Sequence, residues 1–249
     1  MKPTDELYQS LQSAYQHFNG ELFESQLPEI IFTVQRQKGV LGYFAPERWS
    51  SVEGKHCHEI AINPSHLGQS RTIDVLQTLV HEMAHCWQHC FGTPSRGNYH
   101  NKEWAYKMID IGLQPTSTGL PGGNIVGPQM SDYPIENGRF LEACDALFSN
   151  KSFTIPWIDR RPTPKSELHT NSATTSSEVA TPPMTTITES IHNPINESRS
   201  EYAGLQSELA TELMQQPYSA LLPEDTLMPI QQGTRTKKKY QCPECFNRV

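Results

Sequence analysis

The sequence predicts an α+β domain over residues 1–161, built from helices and a small sheet of about three strands. A disordered linker at 162–233 and a short basic tail at 234–249 are expected to follow. Three observations support this reading. Two stretches repeat apolar residues at helical spacing, short β-type runs lie between them, and the composition changes sharply after Arg161-Pro162.

Leu7, Leu11, Tyr15, Phe18 and Leu22 recur every three or four residues and share one face of a first helix. Thr4 is its expected N-cap, with Asp5 and Glu6 favourable against the helix dipole in the first turn. Residues 30–34, 40–44 and 59–63 read as strands, the last closed by Asn63-Pro64. From Ser70 the helical period returns. Ile73, Leu76, Leu79, Val80, Met83 and Trp87 form a broad apolar face that stops at Phe91-Gly92-Thr93-Pro94. A further helix is expected over 101–111, with Trp104, Met108 and Ile111 inward and Gly112 as its stop. Gly and Pro crowd residues 115–139, including Pro121-Gly122-Gly123 and Asn137-Gly138, and predict a long loop. The amphipathic stretch 140–148 is expected to close the domain against Trp157.

Beyond Arg161 the chain is dominated by Ser, Thr, Pro and Asn up to residue 200, with too little apolar surface to offset the entropy of ordering. Leu205, Leu209 and Leu213 allow a transient helix over 202–214 that carries no chemistry.

Hydrophobic residues make up 36% of the chain, low for one folded throughout. Residues 1–160 hold 12 Lys/Arg against 17 Asp/Glu, so the body will not bind nucleic acid through bulk charge. Residues 234–249 hold 5 against 1, and Arg235, Lys237, Lys238, Lys239 and Arg248 make this tail the candidate contact for DNA. The six cysteines, Cys57, Cys86, Cys90, Cys144, Cys242 and Cys245, are too sparse for a disulfide framework. Asp5 and Glu6 stand where a signal peptide needs a basic start, and no apolar run approaches the ~20 residues that cross a bilayer. A soluble, cytoplasmic protein with no membrane partner is expected.

The chemistry concentrates in His81-Glu82-Met83-Ala84-His85. Two histidines one helical turn apart project from the same side and can share one zinc ion. Glu82, beside the first of them, can reach the open coordination position and act as general base. Three residues compete to be the third ligand. His100 ranks first, because the chain can turn at residues 92–97 and return toward the metal. Glu103 ranks second, as a downstream carboxylate. His89 ranks third, because it lies one turn further along the same rigid helix. Three protein ligands plus water would leave the site open for catalysis. His56 and His58 flank Cys57, but such residues more often lie on a strand edge without a metal. Cys86 and Cys90 read as packing residues of the helix.

With these residues in view, the chain resembles the SprT-like zinc metallopeptidases, which include the Spartan DNA–protein crosslink proteases. The resemblance rests on Phe18-Asn19-Gly20-Glu21-Leu22-Phe23, Glu59-Ile60-Ala61-Ile62-Asn63-Pro64, Thr78-Leu79-Val80-His81-Glu82-Met83-Ala84-His85 and Tyr99-His100-Asn101-Lys102-Glu103-Trp104. It implies a zincin-like domain with a strand bordering the substrate cleft. It also implies His81, His85 and His100 as zinc ligands, Glu82 as catalytic base, and protein substrates bound or crosslinked to DNA. At the far end, Lys237-Lys238-Lys239-Tyr240-Gln241-Cys242-Pro243-Glu244-Cys245 resembles the first half of the zinc ribbon found in some relatives. Cys242 and Cys245 would form a second zinc half-site. The competing expectation is a zinc-stabilised adaptor that binds DNA or protein with little turnover. Glu82 weighs against it, because a structural zinc is closed by a fourth ligand and needs no base.

Overall fold

The computed structural model describes residues 1–161 except Lys38, Gln69, Asn98 and Ser152, without the side chains of Asn150 and Lys151; in the tail it describes residues 216, 217, 220, 222, 223 and 226–228. Helix α1 (Pro3–Phe23) begins one residue before the expected cap. Lys2 occupies the N-cap position without a side-chain hydrogen bond, and Pro3 opens the helix because its fixed φ suits the first turn. Leu11, Tyr15, Phe18 and Leu22 are all buried along the anticipated face. After α1 the side chain of Asn19 clamps the turn. It donates to the Leu27 carbonyl at 3.0 Å and accepts from the Leu27 amide at 3.1 Å.

Strands β1 (Ile30–Val34), β2 (Gly42–Ser50) and β3 (His56–Ile62) form one sheet in the order β1-β3-β2. β1 runs parallel to β3 and β2 antiparallel to it, so β2 is an edge strand. The sequence revealed only the first half of β2. Ala45 pairs with Glu59 and Trp49 with Cys57, so residues 46–48 stand opposite His58 alone. Pro46 cannot donate to a ladder and Glu47 takes a φ of 47°, which hides the continuation behind a bulge. Phe32, Ile60 and Ile62 face the helices and join the core.

Asn63 closes β3 and caps the short α2 (Pro64–Leu67), accepting from the Ser65 amide. Helix α3 (Thr72–Phe91) then crosses the sheet and buries Ile73, Leu76, Leu79, Val80 and Met83. Helix α4 (Lys102–Asp110) starts at its N-cap Asn101 and buries Trp104 and Met108. Gly112 follows with a φ of 90°, and a Cβ there would stand 2.6 Å from the Phe140 amide nitrogen. Only glycine accepts both conditions.

The expected loop at 115–139 contains structure. β4 (Leu113–Thr116) and β5 (Ser131–Pro134) pair antiparallel as a second, two-stranded sheet. Each strand is four residues long and carries a proline, too short and too irregular for the alternation rule to detect. Helix α5 (Arg139–Lys151) buries Phe140, Cys144 and Leu147. Trp157 does not close the domain. Phe153 and Ile155 take the buried positions. Trp157 stays 47% exposed and donates from Nε1 to Glu6 at 2.8 Å.

Part of the stretch expected as linker lies against this body. The Met228 amide donates to the Arg160 carbonyl at 2.7 Å, Arg160 Nε donates to the Thr226 carbonyl at 2.7 Å, and Pro217 forms a β-bridge with Arg71. The transient helix expected at 202–214, the basic tail, Cys242 and Cys245 lie outside the described residues. Among the described residues no helix is long and apolar enough to cross a membrane.

Candidate metal centre

Helix α3 presents His81 and His85 from one side, with ring centroids 5.1 Å apart. His100 arrives from the segment before α4. Its ring lies 4.8 Å from that of His85 and 5.6 Å from that of His81. One nitrogen from each of the three lies within 4.8 Å of the others, and His85 Nε2 and His100 Nε2 are 3.2 Å apart. Two nitrogens each about 2.0–2.1 Å from one tetrahedral ion stand about 3.3 Å apart, so this spacing suits a shared metal.

The states of His100 and His85 suit one as well. His100 Nδ1 lies 3.1 Å from the Gly127 carbonyl oxygen, which can only accept, so Nδ1 carries the proton and Nε2 keeps its lone pair. His81 Nδ1 lies 2.8 Å from Asp132 Oδ2. Burial opposes charge on the His81 ring, but the Asp132 carboxylate and then Glu82 outweigh it and raise its pKa. Burial pushes the His85 pKa down to about 2, helped by the neighbouring His81 and His100. His85 is therefore neutral at any physiological pH, as a metal ligand must be.

Trp104 backs the cluster. Its ring stacks on His85 at 5.2 Å and 18°, and meets His81 and His100 edge-on at 4.9 and 4.4 Å. The ring is fully buried; in cores, removing one this large costs about 3–5 kcal/mol. The same side chain thus anchors α4 in the core and supplies a rigid wall for the imidazoles.

Glu82 is 8% exposed, and burial raises the pKa of its carboxyl. His81 and a hydrogen bond from the Phe44 amide oppose that rise. The Phe44 amide is free to donate because β2 is an edge strand. Gly42 leaves β2 room beside both β3 and α3. A Cβ there would stand 2.7 Å from the Ala61 carbonyl oxygen and 3.1 Å from Thr78 Cγ2.

The other candidates are elsewhere. Glu103, ranked second as third ligand, accepts from Gln88 Nε2 and from the Thr93 amide, both at 2.7 Å. It ties the end of α3 to α4 and is not among the three converging ligands. His89 packs beside Phe44 and His58 at 5.9 and 5.1 Å, away from the triad. His58 accepts from the Glu47 amide at 2.9 Å. Cys86 is buried as packing, whereas Cys90 is exposed, with its sulfur 3.8 Å from His58 Nε2. Among the described residues no other set of three His, Cys, Asp or Glu converges as the triad does. Sequence reasoning missed Asp132, the Gly127 carbonyl and the Phe44 amide as parts of the site. Two are backbone groups that no residue type announces, and Asp132 lies in the stretch read as loop.

A family model described as the SprT-like family matches residues 11–121. An uncharacterized protein in the mucB 3' region of Salmonella typhimurium is 45% identical over 51 residues, covering 20% of this chain and 69% of that protein. The chain belongs to the SprT-like family. No solved structure matches it. The SprT-like match runs from α1 through β4 and includes His81, Glu82, His85 and His100, but stops short of Asp132.

Proposed function

We propose that this SprT-like protein is a zinc-dependent endopeptidase with a zincin-like catalytic arrangement. His81, His85 and His100 hold the zinc and Glu82 is the general base. One observation supports this above all: three imidazoles converge beside the buried Glu82 carboxylate. When bound, zinc supplies Lewis acidity, making water acidic near neutral pH and polarising a peptide carbonyl. Glu82 takes the proton of the attacking water at its carboxylate and passes it to the leaving amide nitrogen. The Phe44 amide lies where it can hold the carboxylate, and Trp104 backs the imidazoles. The adaptor reading fits less well. A structural zinc needs a fourth protein ligand, and among the described residues no fourth His, Cys, Asp or Glu joins the triad.

The substrate class we assign is protein held on DNA, supported by the family resemblance and by the five cations of residues 234–249. The purified full-length chain should digest casein, lose the activity on chelation, and regain it with zinc. Single-stranded DNA should accelerate the digestion, and removing residues 234–249 should abolish that acceleration alone. Digestion that survives complete chelation contradicts the metal mechanism. Acceleration that survives loss of the tail contradicts its role in binding DNA.

A further inference from the structure

We infer that residues 127–132 form a clasp that aims two of the three histidines at the metal, with Asp132 as the positioning residue for His81 and the Gly127 carbonyl for His100. The inference rests on the triad being a metal centre. It adds a segment that the motif does not contain and the family match does not reach.

A metal takes the lone pair of a ring nitrogen, and the partner of the other nitrogen decides where that lone pair sits. Asp132 Oδ2 is 2.8 Å from His81 Nδ1, and the Asp132 side chain is only 6% exposed. Gly127 holds His100 three times over. Its carbonyl takes the ring Nδ1–H at 3.1 Å, and the two backbones exchange hydrogen bonds of 2.8 and 3.1 Å. Both acceptors lie behind the rings, so the lone pairs on both Nε2 atoms are left for the shared side. His85 is oriented by a different contact, the Trp104 ring stacked flat against it.

The clasp is tied to the helix it serves. Gln77, one turn before His81 on α3, donates from Nε2 to the Asp132 carbonyl at 2.7 Å. Asp132 also pairs with Pro115 in the β4–β5 ladder, which fixes its direction. Its second oxygen, Oδ1, is buried with no hydrogen-bond partner among the described residues. A buried carboxylate left half-satisfied is costly for a purely structural contact. Its place here is explained by what it does to His81.

The test is a zinc titration of the metal-stripped full-length chain, with Cys242 and Cys245 changed to Ser throughout, against a chromophoric chelator. Asp132→Ala should weaken zinc binding about 10–100-fold, the usual consequence of losing an outer partner of a ligating histidine. Asp132→Asn keeps an acceptor oxygen without the charge and should lose less. Gln77→Leu, which touches no ligand, should weaken binding in the same direction and keeps the test open if Asp132→Ala fails to fold. The apo thermal midpoint is the control. A purely structural pair would lower that midpoint and leave zinc affinity at the wild-type value, which would overturn the inference. A wild-type chain that takes up no zinc would instead defeat the metal-centre reading on which the inference stands.

Discussion

Replacing Glu82 with Gln should leave zinc bound and lower proteolysis about 10²–10⁴-fold, the range typical of losing a general base. The amide keeps the size of the side chain, and its oxygen can still accept from the Phe44 amide that now holds the carboxylate. What it cannot do is take a proton from water. Zinc per chain and the initial rate of casein cleavage, measured on the same preparation, separate the two effects. A folded, zinc-loaded Glu82→Gln protein with near-normal activity would remove Glu82 from the mechanism.

The second large effect concerns the third ligand. His100→Ala should lose zinc on mild dialysis, with an affinity drop exceeding the roughly 10–100-fold expected for an outer partner. His89→Ala and Glu103→Ala should keep it. His89 sits against Phe44 and His58, and Glu103 is engaged by Gln88 and the Thr93 amide, so neither shares the metal. Zinc retained by His100→Ala but lost from either of the others would overturn the ligand assignment.

How legible each part was in the sequence depended on the range of the interactions that shape it. His81 and His85 could be read together because one helical turn relates them, and the apolar face of α3 set the helix itself. His100 required only that the chain turn back after α3. Asp132 was beyond reach, 51 residues from the histidine it contacts and in a stretch whose Gly and Pro content reads as loop. The second half of β2 was hidden by Pro46, since a residue without an amide donor argues against a strand and here marks a bulge. Glu103 is a candidate ligand in the sequence because some zinc peptidases use a downstream glutamate. Its real partners, Gln88 and the Thr93 amide, come from the packing of α3 on α4, which spacing alone does not set. The α1 cap failed locally: Pro3 starts the helix before Thr4 can cap it.

Zinc X-ray absorption distinguishes an open zinc centre of three imidazoles from every closed alternative. The sample is the full-length chain with Cys242 and Cys245 both changed to Ser, so that the tail contributes no thiolate. Nitrogen or oxygen neighbours alone are expected, at about 2.0–2.1 Å, with the scattering signature of three imidazoles and one lighter ligand. Sulfur at about 2.3 Å, or a fourth imidazole closing the coordination, would contradict it.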